Sequence, residues 1–575
     1  MDDSELKAWG IWRMSIIAIL IGMATGSAAW LFRLLIGFIH NLTFLGHLSL
    51  NYNANEHTAA SPWGALIIFV PMLGGLVVVW LIKNYAPEAK GHGVPEVMSA
   101  IHHQRGQIRG VVSLVKALAS SITIGTGGSV GREGPIIQIS AAFSSMLAQW
   151  LKLSVNQRNL LIACGASGGI SATFNTPLGG ILFAVELLML SVNSRTILPV
   201  VMTSVVSAET GRYLIGPDPA FHIPVVQGAA TLDNIYVLAL YFPFAVLLGL
   251  TALVFIKSIY WSEDWFESLP ISPYLQHMIG MFALGVMIYC MYRLTGQYYI
   301  EGIGYATIQD IITKTLTSPW LLLLLIFAKL LSVSLTLGSG GSGGVFSPSL
   351  FMGASIGGFF GTTLAMVFPD LGIDPVTFAL VGMASMVAAT TSAPMTAAIM
   401  TYEMTLDYDV ILPIMVGVSI AYAVRNYFLK ADIYTLKLNR RGLHVPHGYL
   451  IDFNSQIVIE NIMDTDIDFV EKGQLVKGSE KTLCVLEDNQ VIGLVNPISY
   501  RLDVEFYPES AMLRNFLVVR PGTTLRELLS EIYKYHYAVA VVSASGKLFK
   551  EDIIGVFNST HLTQALADVS KRYST

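Results

Sequence analysis

The chain has 575 residues, of which 53% are hydrophobic and only 13% are charged, and its formal net charge is −5. Soluble proteins carry about 25% charged residues, so this composition excludes an ordinary soluble protein over most of the length. The slight acidic balance gives no electrostatic reason to expect a nucleic-acid partner.

Long apolar stretches occur repeatedly before residue 440. Five of them cover residues 16–32, 65–82, 235–255, 321–337 and 410–424. Each is long enough, or nearly long enough, to cross a bilayer as a helix. The N-terminal sequence MDDSELKAWG lacks the basic region of a cleavable signal. These features predict an all-α, multi-pass protein of an inner or plasma membrane, surrounded by lipid.

Basic residues in short loops predict the orientation of the chain in the membrane. Four lie between residues 83 and 109, and three lie between residues 437 and 441. Because basic loops stay on the cytoplasmic side, both loops and both termini are expected there. We therefore expect a membrane domain over residues 1–440 and a cytoplasmic domain over residues 441–575.

Short proline-containing stretches share one local design. They are GHGVPE (91–96), GREGP (131–135), FNTPL (174–178), VFSPSL (345–350) and TSAPM (391–395). In each, small or glycine residues lead to a proline and then to an apolar run, and proline suits the first turn of a helix. Thr176, Ser347 and Ser392 are suitable capping residues just before the proline. The design predicts helices that begin inside the membrane, against protein or a cavity.

The membrane part of the sequence is internally repeated. GTGGSVGREGP (125–135) matches GSGGSGGVFSP (338–348) at an offset of 213. ATFNTP (172–177) then matches ATTSAP (389–394) at an offset of 217, and the second match is not explained by glycine-rich low complexity. We predict two duplicated halves, about residues 15–215 and 230–430, with a substrate site where they meet.

The start of a helix is suited to binding an anion. Its first N–H groups have no intrahelical partner and carry roughly half a positive charge. Several such ends would hold an anion favourably but weakly, as conduction requires. Glu133 of GREGP is itself an anion, and it can occupy such a place and leave it on protonation or rotation. The alternative is a structural ion pair between Arg132 and Glu133 at a surface.

The motifs GHGVPE, GREGP, GGVFSPSL and ADIYTLKLNRRG, in this order, resemble the CLC family of chloride channels and transporters over about residues 10–440. The resemblance implies a fold of two inverted repeats built from tilted, partly re-entrant helices. It also implies a homodimer with one path per subunit for chloride or similar small anions.

The resemblance implies roles for single residues. Glu133 is similar to the external gating glutamate. Tyr434 is similar to the phenol that donates a hydrogen bond to the central anion, with an interfacial aromatic residue as the alternative. Lys116 is similar to a buried lysine that raises the local potential without contacting the anion, with a snorkelling side chain as the alternative. The backbone positions expected to bind the anion are Gly93, Gly134, Gly344, Val345 and Phe346.

His92 departs from the family pattern, which usually has a serine hydroxyl at the central anion site. If the imidazole points inward, its neutral form can donate one hydrogen bond, and its protonated form would hold the anion tightly. Histidine titrates near physiological pH, so conduction would then be sensitive to acid. The alternative is a vestibule histidine with no contact to the anion, and the preferred anion stays open.

Leu187 is the second departure. Proton-coupled members are similar to FxxEE, in which the second glutamate delivers protons, whereas this chain has FAVELL (183–188). Leucine cannot relay a proton, although some coupled members also lack a carboxylate there. Glu186 matches the first glutamate and aligns with Glu403 in the repeat, and we expect both to make structural hydrogen bonds.

The cytoplasmic segment resembles a pair of CBS domains, at about residues 455–505 and 510–572. Short apolar strands alternate with amphipathic helices, and VIGLVN (491–496) matches IIGVFN (553–558). Family members of this kind sometimes bind adenine nucleotides through an aspartate. The corresponding positions here are Ser499 and His561, which argues against nucleotide binding.

The sequence thus predicts a CLC-type anion transport protein that carries chloride, with passive gated conduction favoured by Leu187. A proton-coupled antiporter with an altered internal proton route is the alternative. We expect no enzyme activity, no metal and no cofactor, because no nucleophile–base pair or metal cluster falls within one span. A third alternative is a sensor whose cytoplasmic domain reads a ligand.

Overall fold

The computed structural model describes residues 10–218, 220–221, 235–405, 410–443, 445, 458–477, 481–495, 505–525, 527–528, 531–532 and 539–557. The chain divides into two compact units, Asp2–Gly448 and Tyr449–Thr575. The division falls close to the expected domain boundary at residue 440.

The described part of the first unit is mainly helical. The eight in its first half are α1 Gly10–His40, α2 Val70–Tyr85, α3 Val94–His103, α4 Gly110–Gly125, α5 Glu133–Trp150, α6 Val155–Phe174, α7 Pro177–Leu187 and α8 Ser194–Ile215. The nine that follow are α9 Ile235–Ser268, α10 Pro273–Thr295, α11 Tyr305–Ile312, α12 Pro319–Gly338, α13 Phe346–Val367, α14 Pro375–Thr391, α15 Pro394–Thr405, α16 Ile411–Phe428 and α17 Ile433–Arg440.

The helix boundaries repeat at the two offsets found in the sequence. At the first offset, Glu133 at the start of α5 corresponds to Phe346 at the start of α13. At the second offset, Pro177 at the start of α7 corresponds to Pro394 at the start of α15. Helices α1–α8 therefore match α9–α16 one for one, and α17 follows the second copy. These matching boundaries support the predicted duplication.

Within the described residues, seven helical segments are long and apolar enough to cross a membrane. Others are far too short: α3 has 10 residues, and α11 and α17 have 8 each. At 1.5 Å per residue, these short helices cannot cross a hydrocarbon core of about 30 Å. Short helices of this kind fit a fold with re-entrant helices. The five proline-containing stretches coincide with the starts of α3, α5, α7, α13 and α15, so only α3 of these three short helices begins at one of them.

Two glutamates join the repeats reciprocally. The Glu403 carboxylate of α15 accepts hydrogen bonds from the N–H groups of Leu178 (3.0 Å) and Gly179 (2.7 Å) at the start of α7. The Glu186 carboxylate of α7 accepts from the N–H groups of Met395 (2.9 Å) and Thr396 (2.7 Å) at the start of α15. Each carboxylate thus caps the other helix, where the helix dipole favours negative charge. These are the structural hydrogen bonds expected for both residues.

The second unit contains β-sheet structure in its described part. Its strands are β1 Ile467–Glu471, β2 Val476–Lys477, β3 Thr482–Glu487, β4 Gln490–Val495, β5 Glu505–Phe506, β6 Phe516–Val519, β7 Val539–Ser543 and β8 Ile553–Phe557. Strands β1, β3 and β4 form one three-stranded sheet, and β6, β7 and β8 form another. In each sheet the first pair is parallel and the second antiparallel. This shared topology supports the internal repeat predicted from VIGLVN and IIGVFN. Ser499 and His561 lie outside the described residues.

Candidate anion site

The centre of the site is a backbone contact between equivalent residues of the two repeats. Gly131 donates its N–H to the Gly344 carbonyl at 2.8 Å, and Gly344 donates its N–H to the Gly131 carbonyl at 2.6 Å. This reciprocal, antiparallel bridge brings the starts of α5 and α13 together. It also corrects the expectation for Gly344, whose N–H is already bonded and is not available to an anion. The N–H groups without an intrahelical partner belong to the next residues, Val345 and Phe346.

Gly134 and Gly93 bring the start of α3 to the same place. A Cβ atom on Gly134 would lie 2.2 Å from the His92 carbonyl oxygen and 3.0 Å from the Gly344 Cα. Gly93 has φ of 91°, and its Cβ would lie 2.8 Å from the Gly134 carbonyl oxygen. Only glycine allows these backbone approaches. Three of the predicted helix starts therefore converge here.

Glu133 is the first residue of α5, and its side chain is buried, with 1% exposure. Its Oε1 accepts a hydrogen bond from the Tyr305 hydroxyl, and its Oε2 accepts one from Ser347 Oγ at 2.6 Å. Among the described residues the carboxylate is held by hydroxyl groups and not by Arg132, whose guanidinium lies over the Tyr305 ring, 5.3 Å from its centroid. The arrangement does not fit the alternative of a surface ion pair.

Ser347 differs from its expected role. It lies inside α13, which begins one residue earlier, and its hydroxyl is used by Glu133. Thr176 provides no side-chain cap to α7, so the expected capping is wrong for Ser347 and Thr176. At α15, the N–H groups of Met395 and Thr396 bind the Glu186 carboxylate, and Ser392 accepts a hydrogen bond from Arg425 at 2.5 Å.

Lys116 is fully buried in α4. Its Nζ donates to the carbonyl oxygens of Ala89 (3.0 Å) and Gly91 (2.6 Å), in the loop that leads to His92. A snorkelling lysine would extend its charged end to water, so the burial does not fit that alternative. Through these two hydrogen bonds the Nζ atom supports the backbone just before α3.

His92 is buried, with 3% exposure, and neither ring nitrogen has a hydrogen-bond partner among the described residues. Buried polar atoms are nearly always paired, with protein or with water. The His92 ring centroid lies 6.1 Å from that of Tyr260, whose hydroxyl donates to the Ile433 carbonyl. His92 and the start of α17 therefore contact the same tyrosine.

Tyr434 lies one residue beyond Ile433, and its side chain is 2% exposed. The Asp432 side chain caps α17 by accepting from the N–H groups of Tyr434 (2.7 Å) and Thr435 (2.9 Å). A buried phenol does not fit the alternative of an interfacial aromatic residue. Leu187, at the end of α7, is also buried and packs in the same apolar core.

Two contributors to the site were missed in the sequence. Tyr305 is found by extending the first repeat offset upstream, because this offset pairs it with His92. Lys437 was used only to predict orientation, yet its Nζ lies 2.6 Å from the position that a Cβ of Gly91 would take. It is buried and adds a second lysine Nζ near the start of α3.

A pocket of about 310 Å³ lies in the first unit. Its lining includes three arginines, Arg33, Arg132 and Arg212, and one carboxylate, Asp218, together with Phe174. The Phe174 ring and the Arg132 guanidinium both contact Tyr305, so the pocket adjoins the residues that hold Glu133. A positively charged concave surface concentrates anions.

Comparison with known proteins gives two family matches. Residues 74–426 match the family described as voltage gated chloride channel, and residues 508–568 match the CBS domain. The voltage-gated ClC-type chloride channel ClcB of Escherichia coli (strain SMS-3-5 / SECEC) is 31% identical, over 74% of this chain and 98% of that protein. The H(+)/Cl(−) exchange transporter ClcA of Vibrio parahaemolyticus is 28% identical, over 74% of this chain and 89% of that protein.

The fold is also similar to solved structures. The crystal structure of a slow cyanobacterial Cl−/H+ antiporter aligns with a TM-score of 0.64 and 24% identity, over 75% of this chain and 98% of that one. At 24% identity this similarity establishes a shared fold and nothing about activity.

Proposed function

This chain belongs to the voltage gated chloride channel family, the CLC family of the sequence motifs, and on that premise we propose that it conducts chloride passively through a gated path at the starts of α3, α5 and α13. The observation that carries the proposal is the buried Glu133 carboxylate at these converging helix starts. A carboxylate held at this place occupies the position that a permeating anion would take. When the Glu133 side chain moves away, the path opens.

The residues proposed to contact the anion follow from this geometry. Val345 and Phe346 supply N–H groups without an intrahelical partner, and Gly93 and Gly134 allow the close backbone approach. The His92 imidazole and the Tyr434 phenol are the side-chain donors proposed for the central position. Lys116 is proposed to raise the local electrostatic potential without contacting the anion, because its Nζ already donates hydrogen bonds to two backbone carbonyls. None of these contacts places a full positive charge on the anion, as weak binding requires.

Passive conduction is supported by the end of α7. Leu187 is buried and apolar where a proton-coupled member would have its proton-delivering glutamate. The neighbouring Glu186 carboxylate accepts hydrogen bonds from two N–H groups of α15 and from the Thr396 hydroxyl (2.6 Å), so its oxygens have a structural task.

Proton-coupled chloride exchange is the second candidate, because one relative is named as an H(+)/Cl(−) exchange transporter. Purified protein in liposomes separates the two functions. With a chloride gradient and no proton gradient, passive conduction gives chloride flux without proton movement. Uphill proton movement driven by the chloride gradient would contradict passive conduction and leave chloride transport itself intact.

The assembly and the location are proposed from the family alone. We place the chain as a homodimer with one path in each subunit, in an inner or plasma membrane, with both termini on the cytoplasmic side. The CBS-like segment is proposed to regulate or to dimerise without binding a nucleotide.

A further inference from the structure

His92 and Tyr305 occupy equivalent positions in the two repeats. The first repeat offset, which pairs Gly125 with Gly338, also pairs these two residues. Each directly follows a glycine with positive φ, Gly91 at 77° and Gly304 at 86°. His92 lies just before the short helix α3, and Tyr305 begins the short helix α11.

A pair of buried lysines supports this equivalence. Lys116 and Lys329 are paired by the same offset. Lys116 donates to the Ala89 carbonyl, and Lys329 donates to the Gly302 carbonyl at 3.4 Å, which is the same position in the second repeat. The local backbone around His92 is therefore reproduced around Tyr305.

The Tyr305 ring is fixed by its neighbours. It is fully buried and lies against Phe221 and Phe174, with ring centroids 5.1 Å and 6.3 Å away. The Arg132 guanidinium covers it at 5.3 Å. A ring packed on several sides gives its hydroxyl a defined direction, and that direction is towards Glu133 Oε1.

Ser347 provides a second hydroxyl at the same point. Its Oγ lies 2.6 Å from Glu133 Oε2 and 3.3 Å from the Tyr305 hydroxyl oxygen. The two oxygens of the carboxylate are therefore each matched to one hydroxyl, and the two hydroxyls are close enough to face one small acceptor. The start of α13 places Ser347 beside the N–H groups of Val345 and Phe346.

We propose that the hydroxyls of Tyr305 and Ser347 form a side-chain anion seat. They hold the Glu133 carboxylate while the path is closed, and they donate to chloride when the carboxylate leaves. The proposal rests on the proposed function, in that Glu133 must yield its place to the anion. Each repeat then supplies one side chain at the same structural position, an imidazole in the first and a phenol in the second.

Hydroxyl groups suit an anion seat that must bind its anion reversibly. Each donates a hydrogen bond without adding a formal charge, so the seat attracts a carboxylate and a halide alike. A hydrogen bond to a charged acceptor is stronger than one between neutral groups. The loss of one such bond is therefore expected to weaken anion binding about tenfold.

The test uses the full-length protein with the seat vacated by Glu133→Ala. Chloride affinity is measured by calorimetry, and crystals soaked in bromide locate the anion by anomalous scattering. Adding Tyr305→Phe or Ser347→Ala should weaken chloride binding about tenfold and reduce the bromide peak between these residues. The controls are Ser355→Ala, on the same helix, and Tyr241→Phe; both residues are buried, and their hydroxyls have no partner among the described residues. Each control should stay within about twofold of Glu133→Ala.

The outcomes separate this seat from the proposed function. If both single variants keep chloride affinity within about twofold and retain the bromide peak, the seat is refuted while chloride transport stands. If Glu133→Ala alone binds no chloride and passes none in liposomes, the proposed function fails. Where a variant loses the bromide peak between residues 305 and 347, bromide peaks at other places in the same crystals show that this variant is still folded.

Discussion

Gly131 and Gly344 exchange both of their backbone hydrogen bonds, at 2.8 Å and 2.6 Å, although they belong to different halves of the membrane unit. Equivalent atoms of the two repeats thus meet at one point, and the starts of α5 and α13 lie on either side of it. This contact places the Glu133 carboxylate, which is proposed to gate the path, and the N–H groups that are proposed to bind the anion.

Gly134→Ala tests how tightly these helix starts are packed. The new Cβ would lie 2.2 Å from the His92 carbonyl oxygen, a backbone atom that cannot move aside alone. We expect a loss of about 1–3 kcal/mol in stability, seen as a lower unfolding temperature in detergent, together with reduced chloride flux. Gly110→Ala is the control, because its Cβ would meet only the flexible Met146 side chain. Equal stability of the two variants would contradict the close approach.

Glu186→Ala and Glu403→Ala test the reciprocal capping of α7 and α15. Each removes a charged acceptor from a helix start, so we expect each to lose about 1.5–3 kcal/mol in stability. The unfolding temperature is the measurement, and Glu209→Ala, whose carboxylate is exposed, is the control. If Glu186→Ala left stability unchanged and altered proton movement instead, Glu186 would be a proton carrier.

The sequence predicted the elements and the meeting point of the repeats, because both depend on local signals. Proline after small residues marks a helix start wherever it occurs, and Glu133 is recognisable as a charge in an apolar setting. Tyr305 and Ser347 were not predicted as its partners, since their hydroxyls reach Glu133 only after the two halves close. Ser347 was expected to act as a cap because the helix was expected to begin at Pro348, whereas α13 begins at Phe346.

His92→Ser tests whether the imidazole contacts the permeating anion. The substitution restores the small hydroxyl usual in the family, so we expect the ratio of chloride to nitrate flux to rise at least about twofold. Flux from liposomes in the two salts is the measurement. His103→Ser is the control, since His103 is the last residue of α3, the short helix that His92 precedes, and is exposed. An unchanged ratio would assign His92 to the vestibule, away from the anion.

Truncation after residue 445 tests whether the membrane unit transports chloride without the CBS-like segment. The membrane unit has its own core, so we expect the shortened protein to retain chloride flux, within about tenfold of the full chain. Flux per reconstituted protein is the measurement. Complete loss of flux in a protein that remains folded by gel filtration would show that the CBS-like segment is required for transport.

Whether the Glu133 carboxylate blocks the anion path is best measured as anion flux through Glu133→Gln in liposomes. The variant and the unmodified protein are compared across a range of pH and with chloride, nitrate and fluoride. A neutral amide cannot compete with an anion for the helix starts as a carboxylate does. If Glu133 gates the path, the variant shows faster chloride flux at neutral pH and a weaker dependence on pH than the unmodified protein. Identical rates and identical pH dependence would contradict it, because Glu133 would then not occupy the path.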